Sequence, residues 1–320
     1  MRIPAKGKID AKVVHIGRHR TACQAAMTPE TASERLWLSA PEPPWLEIIV
    51  PAKDEESRLP AGLARLCAKV ETLPAGVAII VVDSASTDDT AGIVRRWPAG
   101  RIPVRLVSCT RPGKGAAVRA GLLATSAPYV GFCDADMASD LSAVDDAIQL
   151  LLEGRPVVLG SRAHPASVVE DRHSILRRAG AAAFRAAARL IVPGVADTQC
   201  GFKFFAGPVA RAAAHSLRAP GFAFDIELIA RCRQLGAQPT EIPVTWQDVP
   251  GSTFSVWRHS VTSFTEIAAI WIALRTSSPL APGMATPALA HLSPRGFNGE
   301  PVPAGSANVG DQMAGGTESA

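Results

Sequence analysis

The run Val77-Ala78-Ile79-Ile80-Val81-Val82 is apolar at every position and ends in Asp83. A strand with one wet face alternates apolar and polar residues, so a strand with no polar face must be covered on both sides. Shorter runs of the same kind recur at Leu46 to Val50, Val104 to Val107, Tyr129 to Asp134 and Pro156 to Gly160. Between them lie segments with helical spacing: Arg58 to Val70, Asp88 to Trp97, Lys114 to Ala124 and Leu141 to Leu152. Ser86 or Thr87 is available to cap the second of these helices. Strands and helices in alternation predict an α/β fold, a mostly parallel sheet with helices on both faces. Such sheets bind ligands at the carboxyl ends of their strands, where Asp83, Asp134 and Arg162 fall. After residue 165 the pattern turns helical, at Ser174 to Ile191, Pro208 to Leu217 and Phe224 to Leu235. Glu241 to Trp246 alternates like a strand, and Ser255 to Arg275 has amphipathic helical spacing.

The ends read differently. Residues 1–44 show no period and close on Pro41-Glu42-Pro43-Pro44, which predicts a disordered arm. Residues 277–320 are rich in Pro, Gly, Ala and Ser and predict a disordered tail. The folded domain is therefore expected over 45–255, with the amphipathic helix over 256–276. No apolar segment approaches the ~20 residues needed to cross a bilayer, and no signal peptide is evident at the N-terminus. The six cysteines are scattered without a Cys-x-x-Cys pair, which argues against zinc or a disulfide framework and fits a reducing cytoplasm. A net charge of +4 gives no reason to expect nucleic acid as a partner. Oligomeric state leaves no trace in the sequence.

Chemistry concentrates at Phe132-Cys133-Asp134-Ala135-Asp136. Alternate residues at a strand end share a face, so both carboxylates are expected to point the same way. Two convergent carboxylates suit Mg²⁺ or Mn²⁺, which share hard oxygen ligands with substrate phosphates. Fifteen aspartates in 320 residues yield about one such pair by chance, so its context carries the weight. Lys114 stands in the Gly-flanked loop Arg111-Pro112-Gly113-Lys114-Gly115 at a helix start, where backbone N–H groups and the helix dipole favour anions. The loop lacks the Ser or Thr that follows the lysine of a P-loop. Arg162, Arg177 and Lys203 would form a second cationic pocket if the fold brings them together, since arginine suits bidentate phosphate contacts.

Five segments stand in order: Val50-Pro51-Ala52-Lys53-Asp54-Glu55-Glu56, Val82-Asp83-Ser84-Ala85-Ser86-Thr87-Asp88, the Lys114 loop, Asp134-Ala135-Asp136, and Asp197-Thr198-Gln199-Cys200-Gly201-Phe202-Lys203. Together they resemble the family 2 glycosyltransferases with a GT-A (Rossmann-like) fold. The last segment, with Phe224-Asp225-Ile226-Glu227, Val244-Thr245-Trp246 and Gly251-Ser252, resembles the dolichyl- or polyprenyl-phosphate glucosyltransferase-like branch. Lys53-Asp54 stands where the family usually has Tyr-Asn, and Ser84-Ala85 where it usually has Asp-Gly.

The resemblance implies an inverting hexosyltransferase that uses a nucleotide-sugar donor, a UDP-sugar such as UDP-glucose, and a polyprenyl-phosphate acceptor. It assigns Pro51, Ala52, Lys53, Glu55 and Asp83 to the nucleotide, Lys114 to its phosphates, and Asp134 and Asp136 to the metal. Gln199, Arg162, Arg177 and Lys203 fall to the acceptor. Gly201 is expected to give its turn unusual backbone freedom. Asp225 is the general base if the acceptor is a hydroxyl, whereas a phosphate acceptor is already ionised and needs none. The helix 255–275 presents Trp257, Val261, Phe264, Ala268 and Trp271 along one side. Such a helix is able to rest on the cytoplasmic membrane face or simply to pack on the domain. Two alternatives stay open: a soluble family 2 enzyme similar to glucosyl-3-phosphoglycerate synthase, and a nucleotidyltransferase.

Overall fold

The computed structural model describes residues 43–170, 175–247 and 256–276, in backbone alone at 170, 175–179, 181 and 256–264. The expected tail, all but the end of the expected N-terminal arm, and the Gly251-Ser252 pair lie outside the described residues. The elements run β1 (Leu46–Ala52), α1 (Leu59–Val70), β2 (Val77–Ser84), α2 (Thr90–Arg95), β3 (Val104–Cys109), α3 (Lys114–Ala124), β4 (Tyr129–Cys133), α4 (Ala143–Leu152) and β5 (Val157–Ser161). They continue with β6 (Val168–Glu170), α5 (Ile175–Ile191), β7 (Phe202–Ala206), α6 (Gly207–Ser216), α7 (Phe224–Gln234), β8 (Pro239–Pro243), β9 (Thr245–Gln247) and α8 (Val256–Thr276).

Seven strands form one sheet in the order β3-β2-β1-β4-β7-β5-β8. Neighbours pair in parallel except β7, which runs antiparallel to β4 and to β5. Alternate residues of β1 serve opposite sides: Ile49 joins one apolar cluster, and Ile48 and Val50 join the other. The sheet therefore has a core on each face, as its unbroken apolar strands require. Ile267 and Ile270 of α8 are buried in the first of these cores. No described helix is long and apolar enough to cross a membrane.

Three local expectations are corrected. Strand β7 was hidden in the sequence because Lys203 interrupts an otherwise apolar run; all five of its residues are buried. The stretch expected as one strand over Glu241 to Trp246 divides at Val244 into β8, in the main sheet, and β9, which pairs with β6 in a separate parallel ribbon. Pro243 has no N–H to continue the ladder, and the Val244 N–H turns to Ser167 Oγ at 3.0 Å. Helix α2 is capped by neither Ser86 nor Thr87: its N-cap residue is Asp89. Ser86 Oγ accepts the Asp54 N–H at 3.0 Å, and the Thr87 N–H goes to Asp54 Oδ1 at 2.7 Å.

Glu47 shows how the sheet locks its turns. It lies inside β1 and is 3% exposed. Its carboxylate accepts the N–H groups of Ser126 and Ala127 at 2.7 and 3.0 Å, fixing the turn that leads into β4. Arg105 Nη2 supplies the countercharge at 3.0 Å from a half-exposed side chain. Glu47→Ala leaves two amides without an acceptor and should lower unfolding free energy by about 2–4 kcal/mol. Arg105→Ala, at the rim, should cost less than about 1 kcal/mol. Urea unfolding of both variants checks this; equal losses would show that the ion pair, not the turn amides, is what Glu47 serves.

Candidate active site

Four loops meet at the carboxyl edge of the sheet. The first two are sewn together. The Glu55 N–H reaches Thr90 Oγ1 at 2.8 Å, the Glu56 N–H reaches Asp88 Oδ2 at 2.9 Å, and Lys53 Nζ reaches the Ala85 carbonyl at 3.2 Å. Pro51 and Ala52 are buried at the end of β1, while Lys53 is exposed. Asp83 accepts the Ser86 N–H at 3.2 Å, which closes its own turn. Asp54 and Ala85 both have φ of 52° and Met137 has 48°. Left-handed backbone is costly for residues with a Cβ, and all three lie in loops that follow β1, β2 and β4. Ala85 stands where the resembling family has glycine, which adopts that conformation freely.

The Lys114 loop follows β3. Gly113, at φ 122°, has a conformation L side chains rarely adopt, and a Cβ there would lie 2.2 Å from the Pro220 carbonyl oxygen. Lys114 opens α3 and its ammonium lies 2.6 Å from Asp134 Oδ1. Burial opposes that charge, but Asp134, Asp225 and Asp136 together outweigh it and hold the ammonium above the usual lysine range.

Asp134 and Asp136 come together differently from the sequence expectation. Strand β4 ends at Cys133, so strand alternation does not align them. Both belong to a turn closed by the Met137 N–H on the Asp134 carbonyl at 3.0 Å, and the Ala138 N–H returns to Asp136 Oδ1 at 3.2 Å. Burial and the neighbouring Asp134 charge push the Asp136 carboxyl up, while the Ala138 N–H, Lys114 and Arg58 pull it down. Glu55 is also raised, chiefly by burial, against its 2.7 Å ion pair with Arg58; Asp136 and Asp134 add to the rise. Its Oε2 is buried without a hydrogen-bond partner among the described residues.

The Asp197–Gly201 turn abuts the same carboxylate. The Asp134 N–H donates to the Gly201 carbonyl at 3.0 Å, and a Cβ on Gly201 would lie 1.9 Å from Asp134 Oδ2. Gly201 is not among the left-handed glycines. Its need for hydrogen as a side chain is steric, which corrects the expectation of backbone freedom. Arg162 holds Asp197 with Nε and Nη2 at 2.7 and 3.0 Å, and its guanidinium lies 5.7 Å from the Trp246 ring centre. Gln199 Nε2 is buried without a hydrogen-bond partner among the described residues.

Lys203 has no exposed surface. It donates to the Cys200 carbonyl at 2.5 Å and lies 2.7 Å from Asp225 Oδ1, with Phe132 under its ammonium. Burial pushes the Asp225 carboxyl up, although Lys203 and Lys114 both pull it down. Arg177 falls in the first turns of α5, where only the backbone is described. The site thus brings together Glu55, Lys114, Asp134, Asp136 and Asp225 as one electrostatic group, with Arg162 and Lys203 each held by a carboxylate of its own.

Sequence reasoning missed Arg58, Glu241 and Glu266. Glu241 accepts the Ala196 and Asp197 N–H groups at 2.9 and 3.0 Å and so sets the turn that presents Asp197. Glu266 accepts from Gly221 and Ala223 at 3.1 and 3.2 Å. One signal was present: Glu266 is the single acid in the 21 residues of α8 and neighbours the core residues Ile267 and Ile270.

Two carboxylates in one turn, with Asp136 raised by burial and by the neighbouring Asp134 charge, fit a divalent cation that draws its other ligands from substrate and water. Among the described residues no group of three or more His, Cys, Asp or Glu forms a complete protein cage for a metal.

The family model for glycosyl transferase family 2 matches residues 47–206. The dolichyl-phosphate beta-glucosyltransferase of Drosophila melanogaster is 31% identical over 81% of this chain and 84% of the fly protein. Its human counterpart is 31% identical over 65% of this chain and 68% of that protein. Among solved structures, glucosyl-3-phosphoglycerate synthase from Mycobacterium tuberculosis with uridine diphosphate shares 22% identity and a TM-score of 0.54, over 73% of this chain and 81% of that one. The same enzyme has been solved with Mn²⁺, uridine diphosphate and product, at a TM-score of 0.52, 21% identity and coverage of 78% and 86% of the two chains. On the match to its model and the breadth of these similarities, the chain belongs to glycosyl transferase family 2 and has the α/β fold of the GT-A enzymes.

Proposed function

We propose that this chain transfers glucose from UDP-glucose to dolichyl phosphate or a related polyprenyl phosphate, with inversion at the anomeric carbon. The observation that carries the reading is the close pairing of Lys114 with Asp134 beside Asp136, a mixed-charge edge suited to a metal-bound diphosphate. The acceptor follows the relatives, whose similarity extends over most of both chains. Pro51 to Glu55 and Asp83 hold the nucleoside. Lys114, with its own N–H and that of Gly115 at the start of α3, binds the diphosphate. Asp134 and Asp136 are the residues to hold Mg²⁺ or Mn²⁺, which when bound supplies Lewis-acid stabilisation of the departing diphosphate.

An oxygen of the acceptor phosphate attacks the anomeric carbon, and the bond from that carbon to the donor's β-phosphate oxygen breaks. UDP leaves with the bonding pair. The nucleophile is already ionised, so no side chain need take a proton, and Asp225 serves as the partner of Lys203 beneath the site. A guanidinium carries five N–H donors and Asp197 takes two of those of Arg162, so Arg162 retains donors for the acceptor phosphate. Arg177 and Gln199 join it there. Leu190, Trp271 and Ile272, at 82, 43 and 55% exposure, offer apolar contact to a membrane surface that delivers the lipid, on the cytoplasmic side. Of the residues expected along that helix face, Ala268 and Trp271 are exposed; the side chains of Trp257, Val261 and Phe264 lie outside the described residues.

Incubation with radiolabelled UDP-glucose and dolichyl phosphate should move label into organic solvent and release UDP. In companion incubations, label moved only to added 3-phosphoglycerate would favour the soluble-acceptor reading, and release of pyrophosphate from UTP with glucose 1-phosphate would favour a nucleotidyltransferase. Asp134→Asn and Asp136→Asn should each lower transfer at least about 100-fold. Chelator should stop it and Mg²⁺ or Mn²⁺ restore it; full activity in both variants would remove the basis of the site.

The Arg162–Asp197 pair also predicts a pH effect. Burial alone would raise the Asp197 carboxyl, but Arg162 and the N–H groups of Arg162 and Gln199 bring it to about 2, against 3.8 ordinarily. A depressed carboxyl stabilises the fold above its unfolded value and loses that contribution as pH falls toward its folded one. The gain, on the order of 2 kcal/mol at neutral pH, should fall by roughly half between pH 6 and pH 3. The stability difference between wild type and Asp197→Asn should shrink accordingly. A difference independent of pH would exclude this origin.

A further inference from the structure

The loop that carries Lys114 does not stand by itself. It is seated on the strap Arg218–Ala223, which precedes α7. The Pro220 carbonyl accepts the Ala116 N–H at 3.1 Å. The same oxygen would meet a Cβ on Gly113 at 2.2 Å, and the Ala219 carbonyl would meet one on Gly115 at 2.4 Å. The strap's carbonyls are therefore pressed against both glycines that flank Lys114.

Its N–H groups face the other way, and two glutamates take them. Glu227 of α7 accepts the Arg218 and Ala219 N–H groups with Oε2 at 2.9 and 2.8 Å, and its other oxygen pairs with buried Arg231 at 3.2 Å. Glu266 of α8 accepts Gly221 with Oε1 and Ala223 with Oε2. A segment with no ladder or helix of its own has side chains or water to take its N–H groups, and here side chains take four of them. Glu266 does so from an element remote in sequence, and does it with both oxygens. A Cβ on Gly221 would lie 2.3 Å from Glu266 Oε1, so this contact is as close as glycine allows.

We propose that Glu266 is a positioning residue for glycosyl transfer: it fixes the Arg218–Ala223 strap, and through that strap the placement of Lys114 against the donor diphosphate. The proposal rests on the functional reading given above. It makes α8 part of the donor site, whatever its relation to a membrane. Losing Glu266 leaves two N–H groups without acceptors and releases the Pro220 carbonyl from its contact with Ala116. Displacements of about 1 Å at a phosphate-binding group are enough to cost a large factor in rate.

The test compares the full chain with Glu266→Gln and Gly221→Ala. Glutamine keeps the size of the side chain but has one acceptor oxygen, and its amide group meets the second N–H donor to donor. Expected for Glu266→Gln are a rise of about tenfold in KM for UDP-glucose, a KM for dolichyl phosphate within about twofold of wild type, and faster hydrogen exchange at the Ala116 amide. Gly221→Ala should reproduce the donor effect, and the two changes combined should give less than the product of their separate effects. A role limited to folding would lower kcat through a smaller active fraction and leave both KM values alone. That result, unchanged Ala116 exchange, or failure of Glu266→Gln to fold would overturn the proposal. Absence of transfer by the wild-type chain would instead overturn the functional reading, and Ala116 exchange would still decide whether Glu266 holds the loop.

Discussion

Burying a charge is costly unless an opposite charge or a set of hydrogen bonds goes with it. At this sheet edge four acids among the described residues are met in that way. Asp134 has Lys114, Asp225 has Lys203, Asp197 has Arg162 and Glu227 has Arg231. Each pair joins segments that the fold must bring together, except Glu227–Arg231, which spans one turn of α7. The pairs therefore fix the loops relative to one another. The Lys114–Asp134 contact is the most exposed of the four acid–base encounters that bear on the site, with side chains 19 and 34% exposed.

The antiparallel strand is the architectural step that completes the edge. Because β7 runs opposite to β4, its start lies beside the end of β4: Cys133 pairs with Phe202. The turn that precedes β7 is thereby laid on the carboxylate of Asp134, and a Cβ at 201 would displace that carboxylate. Lys203 then points into the core, where Phe132 and Asp225 receive it. A lysine inside a strand of phenylalanines is tolerated because its partner is fixed on α7.

Strain collects in the same place. Asp54, Ala85 and Met137 hold left-handed backbone in the loops after β1, β2 and β4. Such conformations persist only where surrounding contacts over-determine them. Here the contacts are visible: Asp54 exchanges bonds with Ser86 and Thr87, and the Met137 N–H closes the turn of the two aspartates. The result is an edge whose loops are tied to one another by their own backbone and side-chain hydrogen bonds.

Much of the molecule was legible in the chain itself. Unbroken apolar strands dictated a sheet covered on both faces, and helical spacing marked α1, α3 and α4 to within two residues of their observed starts, because both signals arise from local periodicity. The residue types of the candidate site were legible too, since Lys114 between glycines and an aspartate pair are local patterns. Tertiary structure alone decided the rest. It set Lys203, expected at the acceptor, against Asp225 with no exposed surface, gave Gly201 a steric reason instead of a conformational one, divided the strand expected over Glu241 to Trp246 at Val244, and sent Glu266 to a strap some forty-five residues earlier. Sequence spacing reports which face of its own element a residue occupies; which charge, carbonyl or carboxylate lies opposite is set only when distant segments pack.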